Sequence, residues 1–502
     1  MYNAYITRIK NMHKHPNADR LQIGECFGNA VIVSMEYEDN QLGVYFPSDG
    51  QLSVEFAEVN NLLRKKDDAG NNIGGYMDPD KRNVTAIKLR GEKSDGLFLP
   101  LKSLESFGDI TTLREGDRID NFNGHEICCK YVPRTQTRRG HYSEGNKTRK
   151  KKVPVAPLFA EHADTEQLAY NLAAFKPGDE IEITLKMHGT SQRTGYLPVH
   201  AGYKDSIFRR IINKIIMGLK VRKDWGADGR NALYNSLKHG EPVYDWGYVS
   251  GTRRTVLENF EGGYYGSNEF REAHSKFFEG KLNKGEEIFY EVVGFTHTGT
   301  PIMASGDNKK LNDKDFVKQY GQTTVFSYGC DNSVDVNISQ DFGEDHMKTV
   351  RKLTSDIYVY RMTMTNEDGF TVEYTPDFMR YRCEQMGVKC VPVFARGHIK
   401  ETHDGFPFID YYDATTNSNS SVCRGDNFGE CVKYIAEQYY DGPDPVGKTH
   451  IREGVVVRII NRPKFCAYKH KNWYFKALEG IVKVEAEAPD MEEAESVEND
   501  TE

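Results

Sequence analysis

The sequence lacks any run of 18 or more apolar residues, so no transmembrane helix is expected. Its first twenty residues, MYNAYITRIKNMHKHPNADR, hold no apolar stretch of the kind a secretory leader needs. Cysteine is sparse and unpatterned: nine in 502 residues, with only Cys128 and Cys129 adjacent. An odd number without a framework spacing speaks against a disulfide scaffold and for a reducing, cytoplasmic compartment. The spacing of structural zinc ligands is missing as well. Cys383 and Cys390 are seven positions apart and Cys423 and Cys431 eight, with His398 and His403 nearby. Structural zinc pairs are tighter, so buried free thiols are expected instead. No internal repeat is visible, and nothing calls for an oligomer, so a monomer is expected.

A surplus of positive charge is also lacking, at least in the total of −8. The distribution matters more. The final 19 residues, VEAEAPDMEEAESVENDTE, carry nine acids and no Lys or Arg, and the rest of the chain sums to +1. Such a tail is self-repelling and expected to be disordered. Residues 130–152 carry nine Lys/Arg against one Glu, a segment able to follow a phosphate backbone or simply to stay solvated. What remains is ordinary for a soluble globular chain: 38% hydrophobic and 28% charged residues, enough for two to four domains.

Residues 1–120 alternate short β-like runs (AYITRI, LQIGEC, AVIVSMEY, LGVYFP, VTAIKLR, DGLFLPL) with Gly, Asn, Asp and Pro. That pattern predicts a small barrel or sandwich. Residues 121–156 read as a basic linker, and a second domain begins near Pro157. Segment 164–175 is predicted as a helix, followed by the strand EIEITL. KDSIFRRIINKIIMGLKVR (204–222) predicts a basic amphipathic helix. Further strands are predicted at EEIFYEVVGF (286–295), TTVFSYG (323–329), REGVVVRI (452–459) and NWYFKAL (472–478).

One strand end stands out. EIEITL runs into Lys186 and then into the glycine and small hydroxyl residues of LKMHGTSQRTG. An ordinary lysine has a pKa of about 10.4 and is almost wholly protonated at neutral pH. An ammonium at a buried strand end is therefore either turned to water or placed where its amine is used.

The run Lys186-Met-His188-Gly189-Thr-Ser resembles motif I of the covalent nucleotidyltransferases, the superfamily of DNA ligases, RNA ligases and mRNA capping enzymes. Its K-x-H-G-T-S form is similar to that of RNA ligases. The resemblance implies that Lys186 attacks the α-phosphorus of ATP and becomes lysyl-AMP, with His188 and Gly189 beside the nucleotide. Other segments follow in the family's order. GTRRT (251–255) looks like motif Ia, whose arginine contacts the ribose; Arg254 is favoured and Arg253 is the alternative. FYEVVGF (289–295) looks like motif III, where Glu291 would bind ribose or support a metal. VFSYG (325–329) would place Phe326 on the adenine. EGVVVR (453–458) looks like motif IV, with Glu453 set for a divalent metal. AYKHKNWYFKALEG (467–480) looks like motif V, whose Lys469 and Lys471 would grip the α-phosphate, with Lys476 a further candidate.

Motif V ends close to the C-terminus, and HPNADRLQIGEC (15–26) resembles the start of OB-fold modules in tRNA-binding proteins. This order resembles the RNA ligase family known from Deinococcus and Naegleria. It implies an α+β chain: an OB-fold barrel over 1–120, the linker, a nucleotidyltransferase domain of antiparallel sheets with flanking helices over 157–484, and the acidic tail. Insertions fall near 204–247 and 330–450. The expected activity is ATP-dependent sealing of RNA 5′-phosphate and 3′-OH ends, with Mg²⁺ or Mn²⁺ and an RNA-containing duplex as partner. A DNA ligase, a GTP-using capping enzyme and a non-enzymatic RNA-binding protein are the alternatives. GPDPVGKT (442–449) fits a P-loop by pattern only: its two prolines remove backbone donors and a strand follows it.

Overall fold

The computed structural model describes residues 2–66, 72–131, 154–159, 161–162, 165–204, 242–257, 260, 268–297, 302, 318, 335–337, 349–351, 355–446, 451–478 and 482–483. The basic run 132–152, the predicted helix beyond residue 204, Phe326, Lys448, Thr449 and the acidic tail lie outside the described residues. No helix among the described residues is long and apolar enough to cross a membrane. The chain is mixed α+β, rich in sheet and poor in helix. It divides into two compact units, one built chiefly from residues before 143 together with those after 471, the other from the residues between.

The first unit is made of short antiparallel strands. Leu97–Pro100, Leu42–Phe46, Ala4–Arg8 and Arg118–Ile119 form one sheet in that order, and Lys10–Lys14, Leu21–Cys26 and Asn29–Ser34 form another. Ile6, Val44, Phe46, Phe56, Leu104 and Phe107 fill its core. Fully burying a side chain of this size contributes about 1.5–3 kcal/mol. The chain's far end belongs here too. Val482–Lys483 pairs in parallel with Ala86–Leu89.

The second unit contains two large sheets, besides the two-stranded ladder of Asp335–Asn337 and Thr349–Arg351. Its strands are β1 (Glu180–Leu185), β2 (Thr190–Tyr203), β3 (Pro242–Gly251), β4 (Glu286–Gly294), β5 (Ser355–Thr365), β6 (Thr371–Glu373), β7 (Val393–Ile399), β8 (Phe408–Asp413), β9 (Ser418–Cys423), β10 (Gly454–Ile459) and β11 (Ala467–Lys471). Its helices are α1 (Glu269–Phe277), α2 (Pro376–Met386) and α3 (Phe428–Glu437). One sheet runs β11-β10-β1-β7-β8-β9, with the two-residue strand Glu166–Gln167 beyond β11; the other runs β3-β2-β4-β5-β6. Alternation decides what each face does. Ile181, Ile183, Leu185, Val455, Val457 and Ile459 turn to one side and pack with Val432, Ile435 and Ala436 of α3. Ile288, Tyr290 and Val292 of β4 turn to a second core with Met379 and Cys383 of α2. The remaining faces of β1, β10 and β4 carry Glu182, Thr184, Arg458, Glu287 and Glu291 beside the apolar Val456, Phe289 and Val293.

Two predicted elements differ. The described residues of the predicted helix 164–175 form no α-helix: Glu166–Gln167 pairs with Tyr468–Lys469, then two 3-10 turns follow, Leu168–Tyr170 and Leu172–Ala174. Asn171 breaks the run at φ −132° and its amide donates to the Gln167 carbonyl at 2.7 Å. Strand pairing and this competing side-chain bond outweigh helix propensity. Segment 472–478 is a helix, α4 (Trp473–Leu478), where a strand was predicted. The Asn472 side chain accepts the Tyr474 N–H at 2.8 Å, as a helix-capping residue does. Lys476 is thus on a helix of the first unit, 2.6 Å from the buried Asp95 carboxylate.

Candidate active site

Because Ile183 and Leu185 point into the core, Glu182 and Thr184 take the opposite face of β1, and Lys186 continues it past the strand end. The ladder holds that continuation: the Lys186 N–H donates to the Gly454 carbonyl at 3.0 Å. The Lys186 ammonium, about one-quarter exposed at 24%, contacts the buried Glu453 carboxylate. Lys471 Nζ lies 3.2 Å from the same oxygen, Oε1, and His188 Nδ1 lies 3.6 Å from the other. Burial by itself would push the Glu453 carboxyl up. The two lysines and His188 outweigh that and hold it well below the usual carboxylate range.

Two glycines let these strands close in. A Cβ on Gly189 would sit 2.4 Å from the Val292 carbonyl oxygen and 2.9 Å from Glu291 Cγ, so the Lys186 loop needs glycine to pack beside Glu291. Gly454 has φ +146°, and a Cβ there would lie 2.1 Å from the His470 carbonyl oxygen. It brings β10 against β11 right after Glu453.

Glu291 faces the site from the other sheet, paired across β2 with Ser191. Burial pushes its carboxyl up to about 7; Lys186 pulls it down and Glu453 adds repulsion. Arg253 also acts on Glu291 and lines the same pocket as Lys186, whereas Arg254 is not among the lining residues. Of the two arginines, it is the alternative Arg253 that lines this pocket. The Arg253 carbonyl accepts the His162 N–H at 3.0 Å, which fixes the loop after β3. Alternation on β11 puts Lys469 on one face with Ala467, which lines the pocket, and Lys471. Lys476 pairs with Asp95 in the first unit, and Phe326 lies outside the described residues.

The pocket, a cavity of about 100 Å³ with an open mouth, lies between the two sheets of the second unit. Its lining includes residues that the motifs did not single out: His162, Tyr360, Arg380, Arg458 and Phe465. His162 sits among Phe289, Tyr360 and Phe465, and its ring nitrogen is 2.9 Å from Arg361. Arg380 contacts Glu182, and Arg458 donates to the Tyr374 carbonyl at 3.2 Å. Arg458 was legible in principle, because it shares strand parity with the pocket-facing Val456. Arg380 and Tyr360 come from remote elements and carry no local signal. Among the described residues no group of three or more His, Cys, Asp and Glu is placed to hold a metal. The Cys383, Cys390, Cys423 and Cys431 thiols are free.

What fold and site define together is a two-sheet α+β chain with a lysine, paired carboxylates and further cations around one pocket. No protein-family model and no curated protein matches the sequence. Solved structures do. A mutant of Naegleria gruberi RNA ligase with ATP and Mn matches over 95% of this chain and 98% of that one, with a TM-score of 0.50 and 14% identity. The same ligase with PPi matches over 94% and 97%, with a TM-score of 0.48 and 14% identity. A further mutant, in its apo form, gives a TM-score of 0.49 at 15% identity over 95% and 98%. At such identities the likeness is one of fold.

Proposed function

We propose that the chain is an ATP-dependent RNA ligase that seals 5′-phosphate and 3′-OH ends, with an RNA 3′-OH strand at the nick. The observation that carries this reading is the meeting of Lys186, Glu291 and Arg253 at one pocket, with Lys471 joined to Lys186 through Glu453. They come from five separate sequence motifs. The likeness in fold to a solved structure of an RNA ligase mutant with ATP and Mn supports it.

Lys186 Nζ would form a P–N bond to the α-phosphorus while the bond to pyrophosphate breaks. AMP would then pass to an RNA 5′-phosphate, and a 3′-OH would displace AMP. An amine attacks only when unprotonated. A carboxylate held as far down as Glu453 is a poor proton acceptor, so its part is to aim the amine. Lys471 and Lys469 would offset the negative charge that grows on the α-phosphate. Arg253 would contact the nucleotide's sugar, and the aromatic side of the pocket, with Tyr360 and Phe465, suits a purine.

Glu291 and Glu453 also fit a hard divalent cation. Both are oxygen donors, and the charge of Glu453 raises the cost of ionising Glu291. Mg²⁺ or Mn²⁺ on one or two carboxylates, completed by water and phosphate oxygens, would neutralise phosphate charge. The first unit, with its short antiparallel strands, is read as the OB module and as a contact for the RNA.

The test is transfer of label from α-labelled ATP to protein. Wild type should become labelled, and Lys186→Ala should not. Full labelling of Lys186→Ala would defeat the assignment. Labelling by GTP in place of ATP would point to a capping-type enzyme, and RNA binding without any label to a non-enzymatic protein.

A further inference from the structure

β2 begins where the Lys186 loop ends, and its first residues have a strand beside them on one side only. Thr190, Ser191 and Gln192 pair with Val292, Glu291 and Tyr290 of β4. On the other side β3 reaches back only to Arg193, which lies opposite Gly251. The backbone groups that these three residues turn away from β4 therefore have no ladder partner on β3. A buried carbonyl left without a donor is costly, so something else must meet it.

Helix α1 fills the gap with one side chain. The buried Arg271 donates through Nη1 to the Ser191 carbonyl at 3.2 Å and through Nη2 to the Thr190 hydroxyl at 2.6 Å. The Gln192 side-chain amide donates back to the Arg271 carbonyl at 2.8 Å. A guanidinium reaches two consecutive residues at once because its donors form a rigid planar fork. The helix is itself firmly seated. Phe270, and Phe278 just past its end, lie in the core with Ile288, Tyr290 and Val292 of β4. His274, one turn on from Arg271, lies 2.8 Å from the Ser355 hydroxyl at the start of β5. α1 thus holds β2 and β5, the two strands that flank β4 and its Glu291.

The residues held by Arg271 lead directly into the pocket. The Ser191 hydroxyl lies 2.9 Å from that of Tyr360 in the pocket wall. Just before Thr190, Gly189 packs tightly on the Val292 carbonyl, and His188 faces Glu453. The Lys186 turn is therefore tied at both ends: by its own N–H to Gly454, and by Arg271 through Thr190 and Ser191. Arg271 itself is not among the residues lining the pocket.

We propose that Arg271 is a positioning residue: by fixing Thr190 and Ser191 it holds the Lys186–Gly189 turn, and with it the line along which the Lys186 amine meets the α-phosphorus. The proposal rests on the ligase reading of the pocket and deepens it, by naming a residue outside the motifs that acts on the nucleophile without touching the nucleotide.

The full-length chain tests it, through the rate of label transfer from α-labelled ATP at rising ATP concentration. Arg271→Ala should lower the maximal rate about 100-fold, the loss expected when a reacting group is misplaced by about 1 Å. The ATP concentration at half the maximal rate should stay within about threefold of wild type, because the contacts to the nucleotide remain. Phe278→Leu loosens the packing of α1 without touching the loop. It should keep the wild-type rate even where thermal melting shows an equal loss of stability. An unchanged maximal rate in Arg271→Ala, a rise in half-saturating ATP as large as the loss of rate, or an equal slowing in Phe278→Leu would overturn the proposal. Thr190→Val keeps the side chain's shape, removes the shorter of the two bonds, and decides the question should Arg271→Ala fail to fold. Transfer about tenfold slower at unchanged half-saturation would support the proposal, and a wild-type rate would overturn it. Hydrogen exchange separates this proposal from the reading it rests on. Amides 187–192 should exchange faster in either variant than in wild type, while those of β3 keep their protection. If wild type takes no label, the ligase reading fails, and unchanged protection of 187–192 would overturn the hold of Arg271 on the loop independently.

Discussion

Replacing Glu453 by glutamine removes the one negative charge that Lys186 and Lys471 share. Both ammonium groups contact the same carboxylate oxygen, and both are largely shielded, at 24% and 15% exposure. Glutamine keeps the shape but leaves two cations facing each other. At a separation of about 5 Å and an effective dielectric near 20, their repulsion, no longer offset by the shared carboxylate, is about 3 kcal/mol. That agrees with the roughly 3–5 kcal/mol lost when one partner of a buried pair is removed. Urea unfolding of wild type and Glu453→Gln, at matched pH and low salt, should show a loss of about 3 kcal/mol. A multivalent anion placed between the lysines substitutes for the missing carboxylate. Inorganic pyrophosphate should therefore stabilise the variant more than wild type. A variant within about 1 kcal/mol of wild type, below the range for a broken buried pair, would refute the reasoning. So would pyrophosphate stabilisation no larger than that of wild type.

The arginine pair separates next. Arg253→Ala should slow label transfer from ATP by about 100-fold, whereas Arg254→Ala should change it less than about threefold; equal effects would undo the assignment of Arg253 to the nucleotide. Glu287 supplies a pH test. Burial pushes its carboxyl up to about 7, with the Arg193 guanidinium, 3.1 Å away, pulling the other way. The folded chain keeps this proton to a higher pH than the unfolded chain does, so its contribution to stability falls as pH rises from about 4.5 to 7 and is level beyond. Glu287→Gln cannot ionise. Its stability relative to wild type should rise by roughly 3 kcal/mol across that window in urea titrations, and a constant difference would contradict the burial argument.

Most strands around the pocket were legible because alternation along EIEITL, FYEVVGF and EGVVVR is local, and a strand exposes or buries its residues by parity. Lys186 could be singled out for the same reason, since an ammonium closing a buried strand is a local contradiction. The helix Trp473–Leu478 was misread because WYFKAL is apolar in either conformation. What decided it was the cap on Asn472 and packing with the N-terminal unit, where Lys93 lies over the rings of Trp473 and Tyr474. Segment 164–175 failed in the opposite sense, since LAYNLAA favours helix locally while pairing with β11 claims its first residues.

By itself the sequence determined which residues are candidates for the chemistry, and their order along the chain, because side-chain type and strand parity are local properties. Only the tertiary structure decided which of them meet. Arg253 rather than Arg254 lines the pocket, Lys476 binds Asp95 in the first unit, and Arg380 and Tyr360 arrive from elements roughly two hundred positions beyond Lys186. Such encounters depend on how two sheets close on shared cores, and no window of the sequence contains both partners.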